Sequence, residues 1–435
     1  MKNKIIPFLL LLLGFGPLAN GQDLLTISDA VAIALDNNFE IKIAKNSLSI
    51  DKVNVSEGNA GMLPSITGSF IDNNRVQNTS QTLQSGQVNS LKDAKNNSMN
   101  YGVSLDWTVF DGFRMFARFD QLKELQKLGE TQLKQTILLK IAEVNATYFD
   151  LVQQQQQLSA IDSTLLISSQ RVQLAENRFK IGKASKLEVL NAQVDLNTDK
   201  VTLLRQKELI SNTKIKLNLI LARAVTTNFM VLNEVKVDDS LLLLELIELA
   251  KKQNPQLQTQ IIAKNVSELQ LKQVKAARYP NVSVSTGYNF QNTVSSLGFT
   301  TESSARGFNY GFTATLNVFD GFAQNRNEKI AKLEVENTKL AIEQQSQLLE
   351  SQLSTFYQTY LTNLQLIRLE QNNEAIAKQN LAITIDKLKI GTITTIEFRA
   401  AQLNYVNAIV RNSNAKYQAK LSEIALKELA GTMTF

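Results

Sequence analysis

The chain has 435 residues, a net charge of +6 with acidic and basic residues interspersed, and neither cysteine nor histidine. That removes disulfides, the usual zinc ligands, Cys and Ser–His nucleophiles and imidazole acid–base chemistry, which argues against a hydrolase or metalloenzyme. The excess charge forms no basic block and no aromatic–basic weave, so no nucleic acid and no cofactor is expected.

The first segment, MKNKIIPFLLLLLGFGPLANGQD, has Lys2 and Lys4, an apolar run from Ile5 to Leu13, then the small residues Ala19 and Gly21. It reads as a secretory signal peptide over residues 1–21, cleaved before Gln22. The run is too short to span a bilayer, and no later stretch approaches the roughly 20 apolar residues a spanning helix needs. A membrane location therefore has to come from strands. Five prolines among 435 residues, with many Leu, Gln, Lys, Ala and Asn, point to long helices.

From residue 22 onward the chain is a duplication. Asn38, Ala60 and Pro64 match Asn254, Ala276 and Pro280 at an offset of 216, and VFDGF at 109–113 matches VFDGF at 318–322 at an offset of 209. The first repeat covers 22–222, a connector 223–240, and the second repeat 241–435. Helical periodicity runs over 26–60, with Ala30, Ile33, Ala34, Ile41 and Ala44 on one face, until Pro64 ends it. The period then drops to two, predicting strands over 65–76 and 98–110 around a polar loop. In the latter strand Tyr101, Val103, Leu105, Trp107 and Val109 alternate with Gly102, Ser104, Asp106 and Thr108. Long helices follow over 111–180 and 185–222, with Asp111 as the expected N-cap of the first.

The second repeat gives helices within 241–277, strands 281–292 and 307–319, and long helices 320–389 and 394–431. In the first repeat Ile137, Val144, Leu151, Leu158, Leu165, Val172 and Phe179 recur every seven residues, and in the second Leu353, Tyr360, Ile367, Leu381 and Leu388 keep that register. The returning helices repeat it through Leu187, Val194 and Val201, and through Ile396, Leu403, Val410, Tyr417 and Ile424. Such a seam implies supercoiled packing. LVQQQQQL (151–158) reads as the wet face between two seam leucines.

Strands of this length, apolar on one face and small and polar on the other, fit a bilayer crossed on a tilt. Four strands cannot close a barrel, and an open edge cannot face lipid. Three copies give twelve strands, above the eight-strand minimum of such barrels. A helix over 111–180 extends about 105 Å at 1.5 Å per residue, the dimension of a tunnel.

Each pair of long helices is broken by a related segment, RFKIGKASKLEVLNAQ (178–193) and KLKIGTITTIEFRAAQ (387–402). Gly182 and Gly391 suit the left-handed position that ends a helix. Ser185 with Glu188, and Thr394 with Glu397, have the spacing of a capping box that starts the next. Both breaks read as helical hairpins.

These features together resemble the TolC-like outer-membrane efflux proteins of double-membraned bacteria. LTISDAVAIALDNNFEI (25–41) is similar to that family's opening signature, with Phe39 where a proline is usual; Asn254-Pro255 keeps it in the second repeat. The duplicated VFDGF and Ile-Gly hairpins match as well. The resemblance implies a mixed α and β membrane protein: a homotrimeric twelve-stranded β-barrel in the outer membrane, in contact with its lipid, continued by an α-helical barrel through the periplasm. It implies a passive duct of a tripartite efflux or type I secretion system, with a periplasmic adaptor protein and an inner-membrane transporter of RND or ABC type as partners. Carried over residue by residue, Ile181, Gly182, Lys183, Ser185 and Ile390, Gly391, Thr392, Thr394 form the docking tip. Glu188, Glu397, Phe179, Leu388 and Asn191 stand at the periplasmic gate. The two glutamates are explained equally well as caps, and the two roles are compatible. Asn191 and Ala400 occupy positions where the family has further carboxylates, and Arg399 sets a positive charge beside the tip.

The competing reading is an exported coiled-coil scaffold of the cell envelope without transport activity. It explains the heptads but not the amphipathic strand hairpins. A carboxylate enzyme such as a glycosidase lacks a compact scaffold for its acid pair.

Overall fold

The computed structural model describes residues 24–296 and 300–433. The expected signal peptide lies outside the described residues. The elements in chain order are β1 (Leu24–Leu25), α1 (Ile27–Asn37), α2 (Phe39–Asn54), α3 (Glu57–Ala60), β2 (Ser65–Thr82), β3 (Val88–Phe110), α4 (Arg114–Lys180) and α5 (Lys186–Ile220). The second half continues with β4 (Met230–Val231), α6 (Leu243–Gln253), α7 (Pro255–Ala276), β5 (Asn281–Ser295), β6 (Glu302–Thr315), α8 (Ala323–Ile390) and α9 (Thr395–Ala430).

The large sheet has the order β2-β3-β5-β6, antiparallel throughout, so the two hairpins join where β3 meets β5. Its register separates two faces. Trp107 lies opposite Val284 and Val284 opposite Phe312, whereas Thr108 lies opposite Ser283 and Ser283 opposite Thr313. Tyr101 stacks on Phe290 with ring centroids 4.9 Å apart, in line with the apolar face. Trp107 donates its indole N–H to the Met62 carbonyl at 2.9 Å, which ties the foot of that face to the end of α3. Phe308, Tyr310 and Phe312 on β6 are all more than 60% exposed, as is Phe70 on β2, so an apolar face and both outer edges lie open in a single chain. Such a face needs an apolar cover, and such edges need strands from neighbouring chains to pair them.

The strands differ from the sequence reading at both ends. The polar stretch 77–97, expected as a loop, is mostly strand: β2 and β3 stay paired to Thr82 and Val88, with a turn at Gly86. Alternation marks where one face meets apolar surroundings, but backbone pairing continues beyond it as a solvated ribbon of Asn, Gln, Ser and Thr. In the second hairpin β6 stops at Thr315 rather than 319, because its partner begins at Asn281. The residue before that is Pro280, which has no N–H to extend the ladder.

VFDGF is the hinge between sheet and helix, built twice. Asp111 is not the N-cap residue itself; Phe113 is, in the left-handed region with φ +67°, and Asp111 Oδ1 accepts the Met115 N–H at 3.2 Å. Phe322 repeats this at φ +63°, with Asp320 Oδ2 accepting the Gln324 N–H at 2.8 Å. Phe110 meets Phe113 edge-on at 5.3 Å and Phe319 meets Phe322 at 5.5 Å. The matched Asn38 and Asn254 are likewise duplicated joints. Each caps a helix, and each donates its side-chain amide to the end of a returning helix, Asn38 to the Ile220 carbonyl at 2.8 Å and Asn254 to that of Leu429 at 2.9 Å.

At 1.5 Å per residue, the 67 residues of α4 and 68 of α8 each extend roughly 100 Å. The seam holds in their middle: Val144, Leu151 and Leu353 are fully buried, and Tyr360 nearly so. Around it lies one core of α1, α4, α5 and α9, and a second of α6, α8 and α9. Two expectations are corrected. In the glutamine run Gln153 and Gln154 are buried rather than wet, Gln153 donating to Asn414 Oδ1 on α9 at 3.3 Å and the Gln154 carbonyl accepting from Gln206 on α5 at 2.9 Å. On α5 the heptad residues Leu187, Val194 and Val201 are 65, 63 and 48% exposed, and Val189 and Ala192 meet α4 instead. The helix is therefore apolar on two sides, one against its own hairpin and one exposed in a single chain.

Candidate functional site: the helical hairpin tips

Both hairpins turn where the glycines stand. Gly182 and Gly391 have φ of +71° and +83°. The Gly182 N–H donates to the Phe179 carbonyl at 3.0 Å and the Lys183 N–H to that of Arg178 at 2.7 Å; Gly391 and Thr392 repeat these bonds at 3.1 and 3.0 Å. This is the paired closure that satisfies the last carbonyls of a helix.

The restarts differ. Thr394 and Glu397 form a complete capping box: the Glu397 N–H donates to Thr394 Oγ1 at 3.2 Å, and Glu397 Oε2 accepts the Thr394 N–H at 2.8 Å. Those bonds, to the Thr394 backbone first and its hydroxyl second, hold the Glu397 carboxyl below its ordinary pKa. In the first hairpin only half of the box forms. Ser185 Oγ accepts the Glu188 N–H at 3.2 Å, but the Glu188 carboxylate turns to Arg178 Nη1 at 3.7 Å. The expectation of two equal boxes is corrected there, because a guanidinium on the descending helix competes for the carboxylate.

Ile181 and Ile390 project at the turns, 67 and 74% exposed, and Gly182, Lys183, Ser185, Gly391, Thr392 and Thr394 are exposed around them. Asn191 and Glu397 are exposed and Glu188 half-buried. Phe179 is 43% exposed, with Lys186 Nζ over its ring at 5.6 Å. Leu388 packs with Leu381 and Phe398, against Ile167 and Leu174 of the other hairpin. It sits inside the joint between hairpins rather than on a surface.

Some two to five turns from the glycines, a buried polar network fastens one hairpin to the other. Arg399 of α9 holds Asp199 of α5 with both terminal nitrogens, at 2.9 and 3.0 Å, and its Nε lies 3.6 Å from Asp195. Arg171 of α4 pairs with Asp195 at 2.5 Å, and Ser168 donates to Asp199 at 2.5 Å. Gln402, fully buried, donates to Ser168 Oγ at 2.8 Å and to the Thr164 carbonyl at 3.2 Å. Burial opposes the Arg399 charge, but the Asp199 carboxylate outweighs it and raises the guanidinium pKa. The cluster holds two acids and two arginines and is neutral. Sequence reasoning noted Arg399 and missed its partners. The available signal was Asp195 and Asp199 one turn apart, with Asn404 and Ala408 at the matching positions of the other repeat.

Among the described residues no group of carboxylates is arranged to hold a metal ion, and no helix is long and apolar enough to cross a membrane.

The family model described as outer membrane efflux protein matches residues 30–223 and 246–432. The chain belongs to the outer membrane efflux protein family. Solved channels share the fold of this efflux protein. The Campylobacter jejuni CmeC outer membrane channel is 18% identical, with 93% of this chain and 85% of that chain covered at a TM-score of 0.76. The Vibrio cholerae outer membrane protein VceC is 15% identical, with 93 and 96% covered at 0.73. The Neisseria gonorrhoeae MtrE channel in its open state is 15% identical, with 94 and 91% covered at 0.70. A comparison with curated proteins gives no match. The efflux protein is thus an outer-membrane channel and not an enzyme. Three chains close its twelve-stranded barrel, and its helices extend into the periplasm.

Proposed function

We propose that this channel is the outer-membrane duct of a tripartite assembly, fed by an inner-membrane pump of RND or ABC type through a periplasmic adaptor that grips the hairpin tips. The observation that carries the reading is the pair of tips at the ends of helices about 100 Å long. Each exposes an isoleucine ringed by exposed polar residues. The docking residues are Ile181, Gly182, Lys183 and Ser185 on one tip and Ile390, Gly391, Thr392 and Thr394 on the other. Cargo moves passively, and the pump supplies energy and selects the substrate.

The same ends form the gate. Glu188 and Glu397, with Phe179 and Asn191 beside them, face the constriction, and three chains bring six carboxylates to it, a ring that favours cations. The Arg399 network holds the two hairpins of each chain together in the closed state, with Leu388 packed beneath.

Because the chain has no cysteine, single cysteines at Lys183 and Thr392 are unique attachment points for a cross-linker in intact cells. Capture of one periplasmic protein from both sites, and not from a cysteine at Gln126 near the start of α4, supports docking. Equal capture from all three positions refutes it, and the captured protein identifies the transport class.

A further inference from the structure

We propose that Arg114 and Arg118 form an anion-binding collar inside the duct, where the barrel meets the helical tube. The inference rests on the chain being a channel and adds a binding site to it. Both arginines lie one turn apart at the start of α4 and line one cleft of about 610 Å³. That cleft adjoins a second, lined by Thr108, Ser283 and Thr315, all on the polar face of the sheet. With lipid on the aromatic face, the polar face and the cleft belong to the lumen.

Arg118 is positioned by a buried relay. It donates Nη1 to Gln121 Oε1 at 3.2 Å; the same oxygen accepts from Gln273 at 2.9 Å, and Gln121 Nε2 donates to Gln270 at 3.2 Å. Gln121 is 7% exposed and Gln270 and Gln273 come from α7, so two helices hold the guanidinium at the wall. Among the described residues Arg118 has no carboxylate partner. Arg114 lies 3.8 Å from Asp111, whose other oxygen is committed to the Met115 N–H. The charged residues lining the cleft are these three, one positive charge in excess per chain and three around a trimer.

Starting the helix does not explain the arginines. Positive side chains oppose the dipole at a helix N-terminus. The second repeat starts α8 with the same Asp-to-amide bond and has Ala323 and Asn327 where the first has Arg114 and Arg118. A ring of guanidinium groups in a confined, polar lumen concentrates anions, and the planar fork fits carboxylate or phosphate oxygens. The ligand class is therefore polyvalent oxyanions and cargo carrying carboxylate or phosphate groups.

Tripolyphosphate is the probe. Calorimetry on detergent-solubilised full-chain trimers reads binding without dependence on the gate, and planar-bilayer recordings read block from the barrel side. Arg118→Gln is expected to weaken binding about tenfold and Arg114→Gln less, because Asp111 already engages it. The double variant should lose binding and barrel-side block, whereas Arg114→Lys/Arg118→Lys should keep the block, which needs the charge, and bind more weakly, because the planar fork is lost. Binding and block unchanged in the double glutamine variant would overturn the collar, as would loss of both in the lysine variant. Absence of any current through wild-type trimers would count against the channel, whereas calorimetric binding lost in the double variant would still support the site.

Discussion

Arg399→Met tests whether the polar network holds the tips closed. The substitution keeps an unbranched side chain of similar reach, so packing beside Phe398 is largely preserved, but it strips Asp199 of both guanidinium bonds. The Arg399 and Asp199 side chains are 15 and 9% exposed, so solvent cannot replace the lost partner without separation of the helices. Removing one member of a buried pair costs roughly 3–5 kcal/mol. Ser168 still donates to Asp199, which argues for the lower end, about 3 kcal/mol or roughly 100-fold in an equilibrium. Because Arg399 belongs to one hairpin and Asp199 to the other, the penalty falls on the state in which the hairpins are packed together. The expected result is a large rise in open probability in planar-bilayer recordings while trimers assemble normally. Asp199→Asn should give a smaller effect, and the double variant should open less than the two effects combined, as coupling requires. If Arg399→Met conducts as the wild type does, the network is only structural.

Three further outcomes are expected. Glu188→Gln with Glu397→Gln should lower cation selectivity and weaken divalent block in the same recordings; unchanged selectivity means that both residues serve only as caps. Gly182→Pro or Gly391→Pro removes an N–H that closes the hairpin and demands a φ near −65° where +71° or +83° is needed. Resistance in efflux assays should therefore be lost while heat-stable trimers persist, and resistance surviving both changes would refute tip docking. The Asp238 carboxyl is held at about 2, by Ser240 first and Lys427 second, below its ordinary 3.8. A depressed folded-state pKa stabilises above the unfolded value, so connector docking should be fully present above about pH 4 and lost as pH falls toward 2. Hydrogen exchange over residues 232–242 measures it. The pair is partly exposed, so the change should be modest and salt-sensitive; protection that is constant from pH 5 to 2 would contradict the linkage.

What could be read from the sequence was whatever is local or periodic. Gly182 and Gly391 declare a left-handed helix end through φ alone, and the seven-residue seam of α4 and α8 declares the side that is buried, with Val144, Leu151 and Leu353 fully covered. The duplication made each sign legible twice. What stayed hidden depends on partners far apart in the chain. Arg399 and Asp199 are 200 residues apart and each looks like an ordinary charge on a solvated face. Gln153 looks wet until α9 lies against it. Glu188 carries the right spacing for a box, yet Arg178 claims it. The strand ends were hidden for the opposite reason: pairing in the β2–β3 ribbon is backbone chemistry, which leaves little trace in side-chain alternation.

The differences between the repeats carry as much meaning as their agreement. Positions that build the staves are duplicated: Asn38 and Asn254, Asp111 and Asp320, Phe113 and Phe322, Gly182 and Gly391. Charged positions that join or line them are not. Asp195 and Asp199 face Asn404 and Ala408 across the repeat, Arg399 answers Leu190, and Arg114 and Arg118 answer Ala323 and Asn327. Divergence at those positions lets one hairpin supply the acids and the other Arg399, so the joint between the hairpins is built from residues the repeat does not share.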